Sequence, residues 1–242
     1  MVELNQVDGL DASSNIIGKI LSFVHERRYQ AAERLPSERD FAEKFDISRG
    51  AVREALAALE SMRVIERRPN SGIYLRRSDE SSIEALVLRA ESGLPFLPEE
   101  TANVFEVRHI LEVQAVKLAC VRRTPEDIKN LHAILDETKK RLAEKQTIES
   151  EDEAFHLAIV AATENAILLR MVKSFYELSR QRRNLYFSGF ERGRHAYEDH
   201  CEILEAIEDR RTAQAERKMS KHLSQALATW QELLGDSKLP PG

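Results

Sequence analysis

Residues 35–60, LPSERDFAEKFDISRGAVREALAALE, restrict the fold of this chain more than any other stretch. Ser37 and Asp40 form an S-x-x-D capping pattern behind Pro36, which opens a short helix with Phe41, Ala42 and Phe45 directed inward. Asp46 and Ile47 leave room only for a tight turn before Ser48, whose hydroxyl suits the N-cap of the next helix. In that helix Val52, Ala55, Leu56 and Leu59 recur at i, i+3, i+4 and i+7, one apolar stripe for a core. Arg49 and Arg53, four residues apart, share another face, and the small residues Gly50 and Ala51 between them let that face approach a bulky partner. A solvated surface helix would carry the same arginines. The short capped helix before it selects a helix-turn-helix, whose second helix enters the DNA major groove with its N-terminal residues foremost.

The flanks supply the rest of a winged domain. RVIERRPNSGIYLRR, residues 63–77, reads as two extended runs around the turn cluster Pro69, Asn70, Ser71 and Gly72, a hairpin wing that carries Arg67, Arg68, Arg76 and Arg77. Upstream, residues 14–28 predict a helix with Ile16, Ile17, Ile20, Leu21 and Val24 on one side. Three helices and a hairpin over about seventy-five residues are near the lower limit for burying an independent core.

Residues 35–75, from LPSER through the S-R-x-x-V-R-E-A-L helix and the wing turn, resemble the N-terminal domain of the GntR superfamily of bacterial transcription regulators. The resemblance implies double-stranded DNA as a partner, bound by a homodimer on a short inverted repeat. It places the contacts on Arg39, on Ser48, Arg49 and Gly50 at the tip of the recognition helix, on Arg53 one turn later, and on the wing turn at Asn70 and Gly72. Most relatives have Gly where this chain has Asn70, and Asn accepts positive φ better than most other residues.

Charge then has to be split by region. The chain of 242 residues has net charge −5, yet residues 1–77 hold 13 Lys and Arg against 12 Asp and Glu, a balance of +1 that leaves −6 for residues 78–242. DNA affinity must therefore come from local placement of arginines, multiplied by dimerisation. No signal peptide or membrane span is visible, and Cys120 and Cys201 have no metal-type spacing, so the cytoplasm is expected and a disulfide scaffold is excluded.

Residues 78–242 predict an all-α bundle of about seven helices, near 79–92, 98–122, 124–145, 149–163, 165–188, 194–209 and 212–234. The expected architecture is thus mainly α, with a winged helix-turn-helix at 1–77 and a helical domain at 78–242. Asp152 and His156 stand at i, i+4, while His200 and His222 fall on the apolar stripes of later helices, where an imidazole needs a partner. One Asp and three His form a normal first shell for Zn²⁺ or another divalent first-row ion, Ni²⁺ or Mn²⁺ among them. His195 falls on a polar side with Asp199, and His109 and His132 at stripe edges are expected to pack. Cys201 points about 100° away from His200.

D-x-x-x-H, then D-H-x-x-I-L-x-A-I, then H-L about twenty residues on, resembles the FadR-type effector domain known as the FCD domain. That resemblance implies metal ligation by Asp152, His156, His200 and His222, with a small carboxylate effector beside or on the metal. A helix before residue 98 favours the FadR subgroup over the VanR subgroup. Arg108 shares a stripe with Val104, Leu111 and Ala115, which points its guanidinium inward. It either pairs with Glu112 one turn on or captures the organic acid. Arg180, Arg182 and Arg183 are expected on a solvated face. The favoured function is a metabolite-responsive repressor that is not an enzyme. The competing class is a metal-dependent hydrolase fused to a DNA-binding module, for which Glu151 or Glu153 would have to serve as base.

Overall fold

The computed structural model describes residues 7–96 and 98–235, with side chains over 15–96 and 99–230. These form two compact units that part between Pro95 and Phe96.

The first unit runs α1 (Val7–Glu26), β1 (Arg34–Leu35), α2 (Glu38–Phe45), α3 (Arg49–Ser61), β2 (Ile65–Arg68), β3 (Gly72–Leu75) and α4 (Ile83–Glu91). Ser37 and Asp40 cap α2 reciprocally, and Asp46 ends it in the left-handed region at φ 53°. Ser48 then starts α3 by accepting from the Ala51 amide at 3.2 Å. The stripe Val52, Ala55, Leu56 and Leu59 is buried against Ile17, Ile20, Phe41 and Ile65. Phe41 meets Phe23 edge-on and stacks on Phe45, with centroids 5.8 and 5.7 Å apart, and deleting a ring so enclosed costs about 3–5 kcal/mol.

The wing is an antiparallel hairpin from Ile65↔Leu75 to Arg68↔Gly72, and β1 adds a third strand that makes β3 central. Two-residue β1 has no periodicity to read; Leu35, buried in the core, fixes it there. Gly72 sits at φ +133°, and a Cβ there would lie 2.7 Å from Nε of Arg34 across that strand pair.

The helix expected to begin the effector domain, α4, falls in the first compact unit, which ends at Pro95. The cause is packing: Leu88 joins the winged core, and Gly18 of α1 lets Ser92 come so near that a Cβ would lie 2.9 Å from its Oγ. Arg76 and Arg77 pair with Glu80 and Asp79 around a single 3-10 turn, Ser78–Glu80, that joins wing to helix.

The second unit contains α5 (Pro98–Arg122), α6 (Pro125–Ala143), α7 (Glu149–Ala161), α8 (Ala166–Phe187), α9 (Phe190–Glu208) and α10 (Thr212–Gly235). Thr124 and Asp127 box the start of α6 with Pro125 in its first turn, and Asn165 caps α8. Val116, Leu131, Phe155, Ile203 and Met219, from five helices, meet in the core. No helix among the described residues is long and apolar enough to cross a membrane.

Candidate metal centre and nucleic-acid interface

In the winged unit the apolar stripe of α3 faces inward, which turns its first residues outward: Ser48, Arg49, Gly50 and Arg53 are all exposed. Among the described residues Arg49 has no ion-pair partner. Arg39 lies loosely beside Glu43, at 3.7 Å. Asn70, at φ 56°, lies in the turn of the wing, and Gly72 opens β3 directly after it. Glu38, which the sequence did not single out, receives Arg53 Nε at 3.2 Å and faces Arg67 at 3.6 Å. Arg67 also donates to the Arg53 carbonyl at 3.2 Å, so it braces the wing against the recognition helix.

In the bundle, α7 carries Asp152 and His156 one turn apart on a buried face, and His200 of α9 and His222 of α10 come to the same point. One ligand atom from each of the four lies within 4.8 Å of all the others. His222 Nε2 is 3.3 Å from Nε2 of both His156 and His200, and Asp152 Oδ1 is 3.7 and 3.5 Å from those two nitrogens. Ligands about 2.0–2.1 Å from a tetrahedral ion stand about 3.4 Å apart, and these four separations are close to that edge length.

The far sides of the rings decide what the near sides offer. His222 Nδ1 faces Asp199 Oδ2 at 3.1 Å, and His156 Nδ1 lies against the Glu112 carboxylate. Asp199 suits the tautomer in which His222 donates from Nδ1–H and keeps its Nε2 as a lone pair. Burial, together with His222, His156 and Arg108, holds His200 well below the ordinary histidine range, and burial holds His222 below it despite Asp199. Nε2 atoms that converge beside the Asp152 carboxylate suit a cation held between them. The donor set therefore fits a divalent ion.

Glu112 links this cluster to Arg108. Arg108 Nε donates to Glu112 Oε1 at 2.6 Å, Arg108 also donates to the Tyr176 hydroxyl at 2.7 Å, and that hydroxyl contacts Glu112 at 3.2 Å. Burial alone would raise the Glu112 pKa, but Arg108 and His156 hold it below the carboxylate range. Arg108 is thus both inward and paired, the structural alternative at this position, and it also lines a cavity whose wall includes Asp152, His222 and Trp230.

The expected solvated arginine face survives only at Arg180. Arg183 is buried and bound to Glu149 and Glu153 at 3.2 and 2.5 Å, and Arg182 lines the cavity, because α8 packs on α5 and α7 there. Glu151 is taken by Arg141 at 2.7 Å, so both glutamates proposed as a base are engaged elsewhere. His109 contacts Ser220 at 2.9 Å, His132 pairs with Glu208 at the surface, and His195 is exposed.

The profile of the FCD domain matches residues 103–225, and that of bacterial regulatory proteins of the gntR family matches residues 12–75. The Uxu operon regulator of Haemophilus influenzae is 32% identical over 201 residues, 81% of this chain and 73% of the relative. The HTH-type transcriptional regulator LutR of Bacillus subtilis is 32% identical over 79% of this chain and 89% of its own. The HTH-type transcriptional repressor NanR of Cronobacter sakazakii is 27% identical over 87% and 82%. Among solved structures, a protein described as Lar, which controls the Listeria monocytogenes agr system, matches with TM-score 0.65 at 17% identity, covering 91% of this chain and 97% of its own, and shares the fold. These relatives are regulators, and the hydrolase class is set aside with them.

Proposed function

The chain belongs to the gntR family of bacterial regulatory proteins and carries an FCD domain, a DNA-binding transcription regulator, and from that premise we propose that it is a repressor controlled by a divalent ion and a small organic acid. The convergence of three imidazole Nε2 atoms and Asp152 Oδ1 in the bundle carries this reading. Asp152, His156, His200 and His222 hold the ion, with Zn²⁺ the best match to the donor set and Ni²⁺ or Mn²⁺ as alternatives. A bound ion supplies Lewis-acid positions for carboxylate oxygens. Asp199 orients His222 so that its Nε2 faces the ion. Arg108, fixed by Glu112, lends positive charge to the wall of the cavity where the acid docks.

On DNA, Arg49 and Arg53 take base edges or phosphates, and Arg39, Ser48, Gly50, Asn70 and Gly72 add backbone-directed contacts. A homodimer presents two recognition helices to a short inverted repeat, in the cytoplasm where the operator lies. One of the relatives is named a repressor, and another is named for an operon. The acid changes operator affinity only if it distinguishes two arrangements of the dimer, and a coupling of about 1–3 kcal/mol is usual.

Elemental analysis tests the ion: about one per chain in the wild type, and loss of most of it in His156→Ala and His222→Ala. Full occupancy in both variants would place the metal elsewhere. Operator titrations with and without a saturating acid test the coupling, and equal affinities would refute it.

A further inference from the structure

Three arginines line the bundle cavity. Arg108 is held by Glu112 and Tyr176, and Arg183 by Glu149 and Glu153. Arg182 of α8 has no carboxylate partner among the described residues. It donates from Nη1 to Thr101 Oγ1 at 3.3 Å and lies 5.4 Å from the centroid of the Phe96 ring. Its Nε and Nη2 are both buried, with no hydrogen-bond partner among the described residues. These two nitrogens form one edge of the guanidinium, and their hydrogens point the same way, the fork that receives both oxygens of a carboxylate side-on. Nε of Arg183 and, from α10, Nε1 of Trp230 are two more buried donors at residues lining this cavity that have no acceptor among the described residues. Burial pushes the Arg182 pKa down to about 10, whereas Arg108, beside Glu112, is raised.

Buried donors without acceptors destabilise a fold, and four on the residues around one space call for a ligand rich in acceptors. The centres of water-sized molecules can occupy about 40 Å³ of the cavity, room for about three waters at about 10–15 Å³ each, which suits a small acid.

We propose that Arg182 is the anchor of the effector's carboxylate: Nε and Nη2 take its two oxygens, Trp230 Nε1 donates to the same molecule, and a second oxygen function of that molecule faces Asp152 and His222. The effector is therefore a short acid with two oxygen-bearing ends, a hydroxy acid or a dicarboxylate, and not a simple monocarboxylate. This rests on the bundle cavity being the effector site.

The test uses the intact Zn²⁺-loaded protein and four probes: acetate, L-lactate, malonate and L-malate. Calorimetry should show at least one two-ended acid binding about tenfold more tightly than acetate. Arg182→Gln should weaken it at least tenfold, and Arg182→Lys should recover only part, because an ammonium lacks the fork. Nitrogen-15 spectra of the arginine Nε–H groups, with Arg182 assigned by its absence from the Lys variant, should show that resonance moving with the same acid. Without any acid, Arg182→Met should raise the melting temperature, because an unpaired buried charge is removed; a fall would mark Arg182 as structural and overturn the proposal. No movement of the Arg182 signal with any probe at tens of millimolar, or equal binding to wild type and Arg182→Gln, also overturns it, and leaves the metal untouched. If the Arg182 signal responds equally in protein stripped of metal, the anchor stands and the metal's part in effector binding falls.

Discussion

Replacing Arg108 by Ala isolates the energetic centre of the bundle. The Arg108 and Glu112 side chains are 11% and 1% exposed, 2.6 Å apart, and share the Tyr176 hydroxyl. Arg108→Ala leaves the carboxylate buried with only Tyr176 and His156 beside it, and removing one partner of a buried pair costs about 3–5 kcal/mol. At about 2–4 °C per kcal/mol for a unit of this size, the melting temperature should fall by about 6–20 °C. Glu112→Gln leaves Arg108 bonded to Tyr176, so its cost should be nearer the about 1–3 kcal/mol of a lost charged hydrogen bond. The double variant Arg108→Ala, Glu112→Gln should be less damaged than the two losses together, by about 0.5–3 kcal/mol. Circular dichroism melts and urea titrations of metal-free protein at neutral pH supply all four corners of this cycle. A loss below about 1 kcal/mol for Arg108→Ala, with no coupling in the cycle, would refute a structural pair and leave Arg108 to the ligand alone.

Three further outcomes follow from the same geometry. Asp199→Asn keeps every metal ligand but frees the His222 ring, so metal affinity in competition with a chelating dye should drop about 10–100-fold; an unchanged affinity would show that the 3.1 Å contact does not orient His222. Arg49→Ala removes an exposed side chain with no ion pair among the described residues, so melting should be unaffected while operator affinity, by fluorescence anisotropy at one fixed salt concentration, falls by about 1–3 kcal/mol; equal binding would remove Arg49 from the interface. His200 and His222 are held below the ordinary value of 6.5 chiefly by burial, so the folded protein binds fewer protons than the unfolded chain as pH falls below about 6.5. Stability of the metal-free protein is then full above that value and declines toward acid, and a denaturation series flat between about pH 5 and 8 would contradict it.

Local chemistry made most of the winged unit legible. The capping box at Ser37 and Asp40, the N-cap at Ser48 and the 3.6-residue stripe through Val52, Ala55, Leu56 and Leu59 each act within one or two turns, and the structure has all of them. Strand β1 and the membership of α4 were not legible, because both depend on which distant surface a short apolar segment finds. In the bundle, periodicity and family resemblance brought Asp152, His156, His200 and His222 to the inside of their helices, and the tertiary packing of α7, α9 and α10 brought their donor atoms within 4.8 Å. Periodicity defines a face and says nothing of depth, which is why Arg183 was expected in solvent and lies buried against Glu149 and Glu153. Nor can spacing within one helix reveal a partner on another: Asp199 fell on a polar face of α9, yet it orients His222 of α10, and Glu112 of α5 serves His156 of α7. The residue types at the centre are thus written along the chain, whereas their protonation, their orientation and the unpaired fork of Arg182 arise only when separate helices enclose them and exclude water.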